Sequence, residues 1–390
     1  MSRIDLPRGW TWEGVLARLS AHADLESTAR QHGVIMRKRV IKSAPQLLRL
    51  MLAYVLSGLS LRSTAAWAEA SGEASLSDVA LLKRLRRCGP WLSELVGMLG
   101  AHASPEAVCG EGRRIVAVDA TAICSPGSGK NKCYRLLHTV YDIGAQRFQA
   151  TLMTDRSVAE HLDVGTVEEG DIRLGDRAYG RYRDLSAVAT AGADYVVRLS
   201  AKALKLVNQD GGAFDRARLC KRAESEGVQD AAVLVLDGKD DASEPLKARV
   251  IVLPLPPDKA EAARRQMRKN AREWGYTPSD DALVTAGCVM LITSLPAEDW
   301  PPERVLNLYR QRWQVELAFK RLKSLLDLET LRAFDSNLVS AWIHAVLLVA
   351  LIIDLERPSS IKFEAPDSPR SAPDAGQFPF GATLPSSLAA

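Results

Sequence analysis

The stretch Leu308–Leu326, LYRQRWQVELAFKRLKSLL, sets the reading of the chain. In it Tyr309, Arg312, Glu316, Lys320 and Lys323 recur at steps of three and four residues, the spacing that lines side chains along one stripe of a helix. Leu308, Val315, Phe319, Leu322 and Leu326 form an apolar stripe beside it. The pattern predicts a single amphipathic helix whose polar ridge borders a buried face. One carboxylate then stands among cations. Glu-to-Lys pairs at such spacings also suit an ordinary solvated helix surface, so the segment needs support from elsewhere in the chain.

Two further segments supply it. Arg113–Thr121, RRIVAVDAT, is an apolar run of strand length that ends in Asp119, and Gly170–Gly180, GDIRLGDRAYG, ends a second such run in Asp176. A lone Asp after a strand is usually a turn or a cap. Asp, Asp and Glu in this order, two closing buried strands and one on an amphipathic helix beside Tyr, Arg and Lys, form a more specific pattern. On these residues the chain resembles the DDE transposases of bacterial insertion sequences. Within them it is similar to the insertion sequence four family, whose Y-R-E-K signature reads here as Tyr309, Arg312, Glu316 and Lys323. The resemblance runs from about Leu59 to about Leu355.

The resemblance implies a transposase that cuts DNA at transposon ends in a metal-dependent reaction and transfers the strand into target DNA. It makes Asp119, Asp176 and Glu316 the catalytic residues and the ligands of Mg²⁺ or Mn²⁺, two ions per active site. Such hard ions take oxygen ligands, and a pair about 4 Å apart activates the attacking oxygen and stabilises the departing one. Without cations between them, three carboxylates at close quarters would raise one another's pKa. Tyr309, Arg312 and Lys323 would position the DNA strand, Arg312 by a two-pronged grip on phosphate. Arg177 and Tyr179, next to Asp176, are weaker candidates for the same site. The implied partners are terminal inverted repeats, target DNA and a second copy of the chain in a homodimer on DNA. Where some relatives place a Trp that stacks on a flipped base in a hairpin step, this chain has Cys288, and a thiol offers no such surface.

Composition bounds this reading. At 390 residues, 47% hydrophobic and 25% charged, the chain is long enough for two or three well-buried domains. The net charge of only +4 carries no global basic signature, so DNA contacts must come from local clusters. Three exist: Arg37, Lys38, Arg39 and Lys42; Lys83, Arg84, Arg86 and Arg87; and Arg264, Arg265, Arg268, Lys269 and Arg272. The six cysteines form no C-x-x-C pair and the six histidines no ligand-like grouping, which argues against a zinc site, gives no support to a disulfide framework and suits a reducing cytoplasm. No secretory leader is evident, and the apolar run Ala345–Ile353 is about half a bilayer span, so a soluble protein with a buried core helix is expected. Ser125–Lys132, SPGSGKNK, resembles a phosphate loop in part. However, Cys124 stands where the first Gly belongs and Asn131 where Ser or Thr does, so no nucleotide cofactor is expected. Two alternatives stay open: a transposase-derived DNA-binding protein that no longer catalyses, and a stand-alone metal-dependent nuclease.

The expected architecture is α/β. A helical N-terminal DNA-binding domain (1–110) precedes an RNase H-like catalytic core (111–200 and 287–356), a mixed sheet with flanking helices that is interrupted by a β-rich insertion (201–286). Ser43 with Gln46 is a capping-box candidate opening a helix, and the segments around Gly72 suit a helix-turn-helix with Lys83, Arg84, Arg86 and Arg87 on its second helix. RIVAVDAT, KCYRLLHTVYDI and RFQATLMTD read as successive strands, followed by a helical stretch from Ser157, then DIRLGD and DYVVRLS as further strands. Residues 357–390 have the composition of a disordered tail.

Overall fold

A computed structural model of the chain describes residues 11–101, 112–124, 133–155, 157–200, 204–240, 242–326, 331 and 333–354. Six helices come first: α1 (Trp12–Ser20), α2 (Leu25–Gln31), α3 (Ala44–Leu56), α4 (Leu61–Ala70), α5 (Asp78–Leu85) and α6 (Gly89–Ala101). Strands β1 (Ile115–Cys124), β2 (Cys133–Asp142), β3 (Arg147–Thr154) and β4 (Ile172–Gly175) follow, then α7 (Tyr182–Thr190), β5 (Asp194–Arg198) and β6 (Lys205–Val207). Next are α8 (Arg216–Glu226), β7 (Gln229–Leu236), β8 (Leu246–Pro254), α9 (Pro257–Glu273), α10 (Asp280–Ala286) and β9 (Cys288–Thr293). Helices α11 (Pro302–Arg310), α12 (Trp313–Leu326) and α13 (Ser336–Asp354) close the described chain. The class is mixed α/β, as expected. Two compact units share these elements: residues 1–107, 120–159 and 313–359 form the first, and 108–119 and 160–312 belong to the second.

In the first unit the helices start where short polar side chains cap them. Ser43, Ser60 and Ser77 each accept a backbone N–H from the first turn of α3, α4 and α5. The reciprocal half of the expected capping box is shifted by one residue, because Gln46 Oε1 accepts from the N–H of Lys42 rather than of Ser43. Helix α13 packs against α3 and α6. It is longer than its apolar run suggested: 18 of its residues are apolar enough to cross a membrane, but 78% of that window is buried within the protein. Such burial is what a core helix shows. Strands β2 and β3 pair antiparallel through a turn at 143–146, where Asp142 Oδ1 accepts the N–H of Ala145 at 2.9 Å and Gln146 takes a positive φ of 53°. Gly100 of α6 lies so close to β3 that a Cβ would stand 2.7 Å from the carbonyl oxygen of Gln149.

The second unit is built on a mixed sheet in the order β1-β4-β5-β9-β8-β7-β6. The pairs β1–β4 and β4–β5 are parallel, and β5–β9, β9–β8, β8–β7 and β7–β6 antiparallel. The strands on both sides of the expected insertion therefore join one sheet. All four residues of β4 are buried, including the charged Arg173 at 0% exposure. Its guanidinium donates to the carbonyls of Leu162 and Val164, both at 2.8 Å, and of Thr166 at 2.6 Å. These bonds explain one correction: the stretch after Ser157 is an irregular loop, not a helix. Its carbonyls bond to a buried arginine, and Gly165 and Gly170 take positive φ of 71° and 82°. Asp171 braces the base of β4, bonded at 2.6 and 2.7 Å by Arg114.

Two further expectations are corrected. Asp119 does not end its strand, since β1 continues to Cys124. Tyr309 and Glu316 do not share a single helix either, because α11 ends at Arg310 and α12 begins at Trp313. At the break, Gln311 and Arg312 donate to Leu308 and Tyr309, a tightening to i→i−3 bonds that interrupts the stripe.

Candidate active site

Strand register brings the first functional residues to one level. Ala117 pairs with Leu174, so two residues further along parallel strands Asp119 stands level with Asp176. Gly175 pairs with Val197, so one residue on Arg198 stands level with Asp176. Level residues on neighbouring parallel strands share a face and sit about 4.8 Å apart. Asp119, Asp176 and Arg198 therefore form a row at the point where β4 and β5 end. Just past β4, Asp176 opens a short 3₁₀ turn at Arg177–Tyr179 and accepts the N–H of Ala178 through Oδ1 at 2.7 Å.

Arg312 joins this row from the turn after α11. Its Nη1 lies 3.3 Å from Oδ2 of Asp119, both side chains being mostly buried, and its guanidinium carbon is 6.0 Å from the ring centroid of Tyr309. Tyr309 itself is 9% exposed. Helix α11 packs on β5, which places both residues beside Arg198. Burial raises the pKa of the Tyr309 hydroxyl, with Arg312 and Arg198 opposing the shift. The guanidinium of Arg198 is pushed down to about 10, first by burial and then by Arg177. Burial also holds the Tyr179 hydroxyl well above its ordinary value, and Asp119, Glu160 and Asp176 add to the shift. Glu160 is raised too, by burial and then by Asp176. The site is thus a half-buried set of oxygen donors faced by arginines. Asp119 and Asp176 present hard carboxylate oxygens without sulfur or imidazole between them, a donor set that suits a divalent ion of the magnesium type.

The structure therefore brings Asp119, Asp176, Tyr309 and Arg312 together within the second unit. Glu316 lies in the first turn of α12 and Lys323 in its last, both half-buried and both in the first unit, whereas Lys320 is exposed. Lys83 and Arg84 occupy the last turn of α5, where cations also complement the helix dipole. Arg86 caps that helix and bonds Asp335 at 3.1 Å, and Arg87 beside it is exposed. Cys288 is a core residue, 4% exposed, with Sγ 3.9 Å from the carbonyl oxygen of Cys220. Ser125–Lys132 lies outside the described residues.

Sequence reading missed two members of the site. Arg198 had a signal, a cation directly after the apolar run Tyr195–Val197, while Glu160 had none. It also missed a grouping of His161, Asp163 and Asp184, whose ligand atoms lie within 4.8 Å of one another. There His161 Nδ1 is 2.8 Å from Asp184 Oδ1, and Asp184 Oδ2 accepts Nε of Arg181 at 2.6 Å. Arg183 lies 3.3 Å from the other ring nitrogen of His161. Two arginines at the cluster oppose a divalent cation, so the group reads as a brace between the loop and α7.

Two aspartates level with one another across neighbouring parallel strands, faced by arginines, are the equipment of enzymes that handle phosphate esters with metal help. The Transposase DDE domain family matches residues 110–352, and the chain belongs to that family. It is 39% identical over 93% of its length, and 96% of the relative's, to the transposase InsL for insertion sequence element IS186A of Escherichia coli (strain K12). Identity is 38% to the transposase for insertion sequence element IS421 of Escherichia coli, over 93% of this chain and 96% of that one. Among solved structures, the cryo-EM structure of the piggyBac transposase synaptic complex with hairpin DNA aligns with a TM-score of 0.41 and 10% identity. That alignment covers 88% of this chain and 71% of the other. The protein is a transposase of the DDE class, a family that catalyses DNA cleavage and strand transfer.

Proposed function

We propose that Asp119, Asp176 and Glu316 together hold two divalent ions, Mg²⁺ or Mn²⁺, and that this set performs both cleavage of the element ends and strand transfer. The observation that carries the reading is the parallel register of β1 and β4, which, continued two residues past the pair Ala117–Leu174, sets Asp119 level with Asp176. The spacing of Tyr309, Arg312, Glu316 and Lys323 adds the third acid. Bound ions would activate the attacking oxygen and stabilise the leaving one. The remaining work falls to side chains. Arg312, already on Asp119, has a fork with which to grip the scissile phosphate. Arg198 and Arg177 add positive charge where the phosphate's negative charge grows, and Tyr309 buttresses Arg312. Lys323 holds the strand as a point charge.

On this reading 1–110 is a helical region that recognises terminal inverted repeats through Lys83, Arg84, Arg86 and Arg87. Residues 111–200 and 287–356 form an RNase H-like core, 201–286 an insertion, and a homodimer assembles on DNA without a nucleotide cofactor. Metal-dependent nicking of a plasmid carrying the repeats that flank the gene tests the core of it. Asp119→Asn and Glu316→Gln should each reduce nicking by more than the roughly 10–100-fold expected for residues that only support a metal site. Both should also abolish Mn²⁺ uptake in calorimetry. Full nicking by either variant would remove that acid from the site.

A further inference from the structure

Helix α9 carries six cations, Lys259, Arg264, Arg265, Arg268, Lys269 and Arg272, against three acids, Asp258, Glu261 and Glu273. Several of the cations are engaged: Arg264 bonds Glu224 and the carbonyl of Leu283, Arg268 pairs with Glu261 at 3.2 Å, and Lys269 with Glu273 at 3.9 Å. Arg265 and Arg272 are exposed, two turns apart on one face, and their side chains make no hydrogen bond or ion pair with the described residues. Only Ala260 and Ala271 of the helix are buried, so its broad outer face meets solvent.

The C-terminus of α9 adds aromatic surface to this charge. Gly275 takes a positive φ of 71°, and the N–H of Tyr276 bonds the carbonyl of Ala271 at 2.9 Å, a closed cap that fixes the two flanking residues. Those residues are Trp274 and Tyr276, and both rings stand out in water at 57% and 55% exposure. Large rings held open on a rigid turn, beside arginines without partners among the described residues, do not serve the core. A polyanion with flat rings of its own is the partner that matches both features at once.

We infer that the outer face of α9 with Trp274 and Tyr276 is a second nucleic-acid contact, in which Arg265 and Arg272 bind backbone phosphates and the two rings stack on unpaired bases. The inference rests on the transposase reading above but involves none of its metal site.

Fluorescence anisotropy of the full chain with labelled duplex and labelled single-stranded oligonucleotide tests it, in metal-free buffer across a range of KCl concentrations. Each phosphate contact contributes about 0.9 to the slope of log affinity against log salt for duplex DNA and about 0.7 for a single strand. Arg265→Gln/Arg272→Gln should therefore flatten the slope by roughly 1.8 and 1.4 respectively. Trp274→Ala/Tyr276→Ala should weaken single-strand binding at least about fivefold, with the slope unchanged and the duplex affected less. All four positions are exposed, and unchanged thermal melts of the variants check that folding is intact. Parental slopes in the arginine variant overturn the phosphate contacts, and parental single-strand affinity in the aromatic variant overturns the stacking. If the unaltered chain binds no DNA even at low salt, the transposase assignment of the surface falls as well. If it binds and both variants match it, only this inference falls.

Discussion

Arg312 stands at the junction of two tasks. Its contact with Asp119 neutralises a half-buried carboxylate, and its seat on Tyr309 fixes the guanidinium plane near the ends of β4 and β5. Glu160 is the opposite case, an acid held where burial and Asp176 both disfavour its charge. Its carboxyl is raised above the ordinary 4.5 in the folded chain. A raised folded value means the stabilising contribution is whole below pH 4.5 and is lost as pH climbs through the folded value, so at neutral pH the ionised group costs stability. Glu160→Gln should accordingly melt higher than the parent at about pH 8 in chelator-treated buffer, and the advantage should close by about pH 4. A melting difference that stays constant across that interval would contradict the assignment.

Among elements, α6 meets β3 through a glycine, and that contact is unforgiving. A methyl at Gly100 would lie 2.7 Å from a backbone carbonyl, which cannot rotate away as a flexible side chain can. Gly100→Ala should destabilise the protein by about 1–3 kcal/mol despite its better helix propensity. Denaturant titration gives the value directly, and a neutral or stabilising result would mean that helix and strand separate at little expense. The break between α11 and α12 has the reverse character. Its i→i−3 bonds tighten the chain just where Arg312 turns toward Asp119, so the interruption aims a functional side chain.

Over the molecule, the two units are interleaved in the chain rather than strung end to end. The first draws α3 and α6 from early residues and α13 from late ones, and α13 packs on both. Deleting residues 1–107 would expose the buried apolar surface of a 19-residue helix. Such a truncation should be insoluble or strongly aggregated in size-exclusion chromatography. A monomeric, cooperatively melting fragment would show instead that α13 has another way to cover itself.

The cap at Ser43, alternating helices and strands, and the Tyr309–Lys323 spacing were all legible along the chain because each depends on residues a few positions apart. From them the α/β class, the DDE resemblance and the two aspartates could be read directly. The level row of Asp119, Asp176 and Arg198 depended on parallel register between strands 57 and 22 residues apart, which no local pattern encodes. Likewise, the capture of the 162–166 carbonyls by Arg173 and the placing of Glu160 beside Asp176 came only with the packed structure. Local propensity is written in neighbours, whereas register, burial and the meeting of charges are set by which distant surfaces exclude water together.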